Sequence, residues 1–553
     1  MPTTVDTAAD SDTSAHALID YLADELTYYM ENLVVEDGTR PYYISYTVYD
    51  EQRGVVSATL GALTQRTLTA NRDLNVDVRV GDYSLDNTHQ LRGTGQSYAP
   101  GSGNIPVSLE ADPYSMRHAL WYQTDRAFKR AVRRLSRIKT DLKIKVGEED
   151  KSDDFSHEQA HIYYEAPAKL SLDTDAWANR VRKVSAIARD YPLIYSSSVT
   201  VGAFAGTRYM VTSENARLQT SQTRFRITVQ AGTKAEDGMD LTQSFAFNAA
   251  SRERLPSAAE MEAAFRRVID QVLSLRRAEI AEPYTGPAIL RNRAAGVFFH
   301  EIFGHRIEGH RQKDVTEGQT FKTKVGQSVL PDFISVYDDP TAAQQNGIDL
   351  RGHYRFDDEG VRASRVTLVE DGILRSFLLS RRPVAGFPQS NGHGRRQPGR
   401  AVTSRQANLI VESSKRVGFD TLRQLLREEC KRQEKPYGLL FEDISGGFTT
   451  TSRRGPQSFK VVPIVVYRVY TDGRPAELIR GADIVGTPLT CFEKIVCTGD
   501  DPDVFNGSCG AESGWIPVSA VSPSILVSMI EIEKRTRDQA RPPILEPPLR
   551  ENR

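Results

Sequence analysis

The sequence predicts an α+β fold: an α/β N-terminal region, then a largely antiparallel β C-terminal domain, with a helix rich in metal-ligand residue types between them. Three observations lead there. Helix-period stripes and strand-period alternation are mixed through the first half of the chain. Strand and hairpin signals dominate beyond about Gln327. At 553 residues the chain is too long for one ordinary core, so two or three domains are expected.

Residues 1–13 are small, polar and acidic and are expected to be disordered. Leu18, Leu22, Leu26 and Met30 recur every four residues and predict a helix over His16–Asn32. Tyr42–Val48 and Leu74–Val80 read as strands; Leu74, Val76, Val78 and Val80 alternate with polar residues. A long basic helix is expected over Pro113–Ile138. A charged linker around Glu148–Asp154 could divide the region 14–283 into two subdomains. A helix near Asp175–Arg189 and strand-like runs to about Asn248 follow. Ser257-Ala258-Ala259-Glu260 is a capping box, with Met261, Phe265, Val268, Val272 and Leu275 as the apolar stripe behind it. Tyr284-Thr285-Gly286-Pro287 reads as a turn that opens the C-terminal domain, residues 284–533. Within that domain, Arg365–Val369 before Asp371-Gly372 and Val461–Tyr470 before Asp472-Gly473 are hairpin signals. One helix is expected over Phe419–Gln433. Residues 534–553, with Arg541-Pro542-Pro543 and Glu546-Pro547-Pro548, read as a disordered Pro-rich tail.

Lys and Arg total 71 against 72 Asp and Glu, a net charge of -1. Nothing general draws such a chain to nucleic acid. No apolar run approaches the roughly 18 residues that span a bilayer, so no membrane partner is expected. Met1–Ser14 lacks the basic start and apolar stretch of a secretory signal. The four cysteines, Cys430, Cys491, Cys497 and Cys509, form no C-x-x-C pair. Reduced thiols in a cytoplasmic protein are the expectation.

The densest chemical signal is Phe298-Phe299-His300-Glu301-Ile302-Phe303-Gly304-His305. Neutral imidazole is the commonest protein ligand for Zn²⁺, and a carboxylate beside such a metal can take a proton from bound water. At this composition H-E-x-x-x-H arises by chance roughly 0.01 times per chain. The spacing is unusual. Histidines four apart lie about 40° apart around a helix, but histidines five apart lie about 140° apart. To share one ion, the helix must gain a residue between them or end. Gly304 is the expected place, and a π-bulge there would restore a common face. Two unrelated histidines on an amphipathic helix are the plain alternative.

Other residues carry weaker signals. Any of the four cysteines is a candidate third ligand, although Cys430 lies on a charged helix and Cys491 and Cys497 suit packing. Cys509 stands between Gly507 and Gly510, in what reads as a loop that backbone can approach. Glu308 is either a capping carboxylate or an acceptor for a ligand imidazole N–H. His310 reads as a surface residue. Asp357-Asp358-Glu359 is a solvated turn or a site for a substrate amino terminus. Arg395 and Arg396 either clamp a substrate carboxylate or face water. Ser445-Gly446-Gly447 lacks the G-K-[ST] of a phosphate loop and better fits a strand edge where an extended peptide lies.

The segment His300-Glu301-Ile302-Phe303-Gly304-His305-Arg306-Ile307-Glu308-Gly309 resembles the H-E-x-x-G-H-x-x-E-G signature of the TldD/PmbA metallopeptidases. Tyr284–Pro287, Asp357–Val361, Glu370–Leu374, Asn391–Arg396, Ser445–Gly447, Gly507–Gly514 and Ile516–Val518 match in order, over roughly residues 284–530. The N-terminal half matches only in general character. The resemblance implies one zinc per chain held by His300, His305 and Cys509, with Glu301 as general base. It implies hydrolysis of peptides or unfolded protein segments, and a dimer with a second copy or a paralogous subunit. Since the His-Glu motif is present, the chain resembles the active kind of subunit. His310 departs from the pattern, where members commonly carry an acidic residue. A non-enzymatic component with a structural zinc, or a hydrolase of a non-peptide substrate, would use the same residues.

Overall fold

The two short alternating runs near the N-terminus belong to a single hairpin, Pro41–Thr59 against Ala62–Val80. Leu60 and Gly61 turn it with φ of 47° and 78°, the two positive values that a two-residue hairpin turn of matching twist requires. In the computed structural model residues 5–7, 17–91, 103–110, 112–144, 150–453, 458–486, 491–535, 542–543 and 545 are described. The hairpin joins Ser196–Thr212, Arg217–Lys234 and Asp240–Ala249 in an eight-stranded sheet whose long ladders are all antiparallel. Parallel pairing is confined to Ile162–Tyr164, which lies between Val5–Thr7 and Arg217–Gln219. Val5–Thr7 falls within the stretch expected to be disordered. The rest of residues 1–13 and most of the Pro-rich tail lie outside the described residues.

One face of this sheet takes four helices. Ile44, Tyr46 and Val48 pack against Ala17–Asn32 and Pro113–Ile144. Val56 and Ala58, further along the same side of the strand, pack against Thr174–Ala186 and Ala258–Arg277. The last of these begins at the capping box, with both reciprocal bonds between Ser257 and Glu260 formed. Asp112 caps Pro113–Ile144 through the backbone N–H groups of Tyr114 and Ser115, and Pro113 fills the first turn, where its missing N–H costs nothing. In the charged stretch after residue 149, Asp154 is buried and hydrogen-bonded to His89 at 2.8 Å.

The sheet's other face meets the C-terminal domain. Arg208 donates to Phe356 O at 2.9 Å and to Asp357 O at 2.8 Å. In that domain five strands close a circuit. Tyr284–Leu290 pairs with Tyr437–Thr449, then Phe459–Tyr470, Ala482–Gly486 and Ile525–Lys534 follow, and the last returns to Tyr284–Leu290. A second sheet of six strands ends on Asp503–Ala511 as its edge, paired with Gly514–Ser522. The α+β class stands, with largely antiparallel sheets. Among the described residues no helix is long and apolar enough to cross a membrane.

Tyr284–Pro287 is not a turn but the start of a strand. Its ladder with Ile525–Lys534 shifts register between Gly286 and Ala288, so Pro287, which has no N–H to give, sits at the irregularity. The next element is the motif helix, Asn292–Ile302, lodged between the strand circuit and the six-stranded sheet. Ala294, Ala295 and Gly296 let it approach closely: a Cβ on Gly296 would stand 3.2 Å from Ala520 O. Phe298, Phe299 and Phe303 fill the space beyond, around Phe492, with ring centroids 5.6–6.1 Å from it.

Candidate metal centre

The motif helix ends at Ile302, and Gly304–Arg306 continue as one turn of 3-10 helix. The geometric conflict of histidines five apart is resolved by ending the helix, not by a π-bulge. Gly304 is required there because a Cβ would stand 1.9 Å from Gln406 Oε1. The tighter turn brings the rings of His300 and His305 together at 5.2 Å, nearly perpendicular. Arg306, buried, donates to Glu301 O at 3.3 Å and Ile302 O at 3.1 Å. It thereby satisfies carbonyls that the helix end leaves open. It also reaches Thr449 Oγ1 at 2.7 Å, tying the helix end to the strand Tyr437–Thr449.

Cys509 meets this pair from the opposite sheet. It lies on the edge strand Asp503–Ala511, not in a loop, and its Sγ is 3.3 Å from His305 Nε2. One ligand atom each from His300, His305 and Cys509 lie within 4.8 Å of one another. All three residues are buried. Burial pushes the Cys509 thiol up, but the charged imidazoles of His305 and His300 outweigh it and hold the thiol well below its usual range. Arg405 stands on the same sulfur at 3.2 Å. Glu301 Oε2 is 4.0 Å from His305 Nε2.

Glu308 is fully buried behind His305, with Oε1 3.4 Å from Nδ1. Burial raises its carboxyl, yet Arg311, His305 and Arg405 bring it down to about 2. His310 is not a surface residue: it is buried and hydrogen-bonded to Glu512. Glu308, His310 and Glu512 themselves form a compact group. The Arg311 guanidinium, 2.8 Å from Glu308 and 3.0 Å from Glu512, already supplies its cation.

A cleft of about 1330 Å³ opens on His300, Glu301, His305 and Cys509. Gly446 and Gly447 line it, and Gly447 is packed so closely that a Cβ would stand 2.8 Å from Glu301 Cγ. The ladder between Tyr284–Leu290 and Tyr437–Thr449 stops at Phe441. Beyond it, Ile444–Thr449 presents an edge to the cleft, facing the edge strand of Cys509.

The remaining sequence candidates lie elsewhere. Asp357 and Asp358 are neither a solvated turn nor part of the cleft. Asp357 is buried and accepts from the backbone N–H groups of Glu359, Val361 and Gly394, each at 2.9 Å. Asp358 pairs with Arg208 at 2.8 Å. Arg395 donates to Gln406 O and Pro517 O, and Arg396 N–H donates to Asp358. These four hold the domains and loops together. Arg306, Arg311, Arg405, Gln406 and Glu512 carried no signal of their own in the sequence. Arg405 and Glu512 lie about a hundred and two hundred positions from the motif they support.

Residues 283–534 match the family model of the PmbA/TldA metallopeptidase C-terminal domain. A metalloprotease of Archaeoglobus fulgidus is 30% identical over 239 residues, 43% of this chain and 51% of that protein. A metalloprotease of Methanocaldococcus jannaschii is 26% identical over 330 residues, 59% of this chain and 67% of that protein. A protein of Saccharolobus solfataricus named zinc metalloprotease TldD homolog is 25% identical over 254 residues, 44% of this chain and 51% of that protein. The match thus spans about half the length of two of these relatives. The crystal structure of TldE from Thermococcus kodakarensis superposes with a TM-score of 0.60 at 12% identity, covering 93% of this chain and 100% of that one, a likeness of fold.

Proposed function

The chain belongs to the TldD/PmbA family through its C-terminal domain, and from that premise we propose that it is a zinc-dependent peptidase of peptides or unfolded protein segments. The observation that carries the reading is the convergence of His300, His305 and Cys509 beside Glu301 at the floor of an open cleft. The donor set suits zinc: two imidazoles and a thiol of lowered pKa, with a cleft side left open, as a catalytic site needs. His300 Nδ1 is buried with no hydrogen-bond partner among the described residues. The protons that the thiolate and imidazoles share are the ones a bound cation displaces.

When bound, zinc supplies Lewis acidity that activates water and polarises a carbonyl. Glu301 accepts the water proton on its carboxylate and returns it to the leaving amine. Glu308 accepts a hydrogen bond from His305 Nδ1–H and so fixes the tautomer of the ring. Arg405 holds the Cys509 sulfur as thiolate. The edges at Ile444–Thr449 and Asp503–Ala511 receive an extended substrate by strand addition, which favours short or unfolded chains over folded ones. A structural zinc would need a fourth protein donor, and Glu308 and His310 are engaged with arginine and Glu512. The same reading places the protein in the cytoplasm as a dimer, with itself or a paralogue.

The deciding experiment is metal analysis together with digestion of an unfolded protein. Wild type is expected to carry about one zinc per chain, from the three-ligand site. Glu301→Gln keeps the metal and loses about 10²–10⁴-fold in rate. Wild-type rates in Glu301→Gln, or full zinc in His300→Ala, would sink the proposal.

A further inference from the structure

The cleft has a second chemical feature where it reaches the seam between the domains. Arg224 and Arg226, two apart on Arg217–Lys234, project from one side of the strand while Phe225 and Ile227 are buried on the other. Arg351 follows the short strand Ile348–Asp349, and Arg293 stands in the first turn of the motif helix. Arg226, Arg293 and Arg351 line the cleft, and Arg224 lines an adjoining cavity shared with Arg226 and Arg351. All four are half-buried. Among the described residues none of the four pairs with a carboxylate. Asp349, the acidic residue nearest to Arg351 in sequence, is taken by Arg254 at 3.0 Å and by the Ala250 N–H.

Burial and the charges of Arg226 and Arg224 push Arg351 down to about 9, and burial with Arg293 lowers Arg226. A guanidinium stays charged in proteins, so these directions register repulsion that an anion would relieve. Withdrawing several unpaired cations from water is costly. A carboxylate offsets that cost through paired, charge-assisted hydrogen bonds that match the guanidinium fork.

From this cluster we infer that the seam end of the cleft binds a carboxylate of the substrate, about three residues from the bond that is cut. The distance follows from the edge strand. Arg226 donates to Asn506 O at 3.4 Å, and Asn506 precedes Cys509 by three residues, about 10 Å of extended chain. A peptide laid along that edge advances at the same rise per residue. A C-terminal carboxylate at the arginines therefore brings the second or third peptide bond from the end to the metal centre, and small di- or tripeptides leave. An Asp or Glu side chain at the same distance offers the same group. The identity of the ligand as substrate rests on the peptidase reading; the anion site rests on the arginines.

The test is binding to Glu301→Gln protein, read by fluorescence anisotropy, with three N-terminally labelled penta-alanine peptides. One ends in a free carboxylate, one in a carboxamide, and one in a carboxamide with Glu as the last residue. The free acid is expected to bind at least about tenfold more tightly than the amide. Arg226→Gln and Arg351→Gln should erase that preference. Tight binding by the Glu-containing amide as well assigns the site to side chains in addition to chain ends. Equal affinity for acid and plain amide overturns the inference without needing any variant to fold, as does a preference that survives both substitutions. Digestion of unfolded protein by wild type reads the peptidase proposal separately. Cleavage without acid preference loses only the anion site, and acid preference without cleavage loses only the peptidase.

Discussion

Three hydrogen-bonding or metal-ligating groups crowd one sulfur. Cys509 Sγ is 3.3 Å from His305 Nε2 and 3.2 Å from Arg405, with His300 adjoining. Cys430, by contrast, is buried among Leu422, Leu426 and other apolar side chains, and burial pushes its thiol up to about 12. Cys509→Ser is therefore expected to lose most of its zinc at neutral pH, since serine stays protonated and is a poor soft donor. Cys430→Ser should retain it. Atomic absorption on both purified variants decides, and equal zinc in the two would remove Cys509 from the ligand set. The two histidines and Glu301 were legible because their spacing is local. Cys509 was legible only through the family resemblance, and Arg405 not at all. A side chain brought in by tertiary structure leaves no periodicity around itself to be read.

At the scale of elements, the motif helix is held at its end by one arginine. Arg306 spans from the carbonyls of Glu301 and Ile302 to Thr449 and Thr450. Arg306→Met removes four hydrogen bonds from a buried position and is expected to cost about 2–5 kcal/mol. Urea unfolding of the zinc-loaded proteins measures it, and an unchanged midpoint would mean that water or another side chain caps the helix equally well. Where elements were misread, the cause is visible. In Ala62–Val80 the first half is exposed, so no alternation marks it as strand. In Tyr284–Leu290 the Gly-Pro pair has the composition of a turn, but the neighbouring strands impose a ladder with one irregularity. Phe419–Arg432 was read nearly to the residue, and Ala258–Arg277 at its start, because burial on one side and a capping box dictate the pattern.

At the scale of the whole molecule, the domains meet over buried carboxyls. Asp357 is raised to about 8 by burial and by Glu359, and Glu359 is raised by burial despite Arg79. A carboxyl raised above its unfolded value favours the fold while protonated. That contribution is complete below about pH 4, the unfolded range, and is lost as pH rises through the folded value. This contribution is therefore expected to fall between about pH 4 and pH 8 and to level off above that. Glu359→Gln, which removes one of the two charges, should flatten that fall. Urea midpoints measured across this range test it, and identical slopes in the two proteins would mean that the pair is not coupled.

The closed circuit of strands has a consequence for how the chain is threaded. Tyr284, near the entrance to the C-terminal domain, pairs with Ile532, near its exit. The polypeptide enters and leaves this half of the molecule at one doorway, and everything between is a loop in the topological sense. The order in which its strands are translated is thus separable from the order in which they neighbour one another. Joining the doorway with a short linker and opening new ends at the exposed Asp472-Gly473 turn should give a permuted domain with the same ladder set. Its thermal transition should stay cooperative, whereas a broad, uncooperative melt would show that the original ends direct assembly.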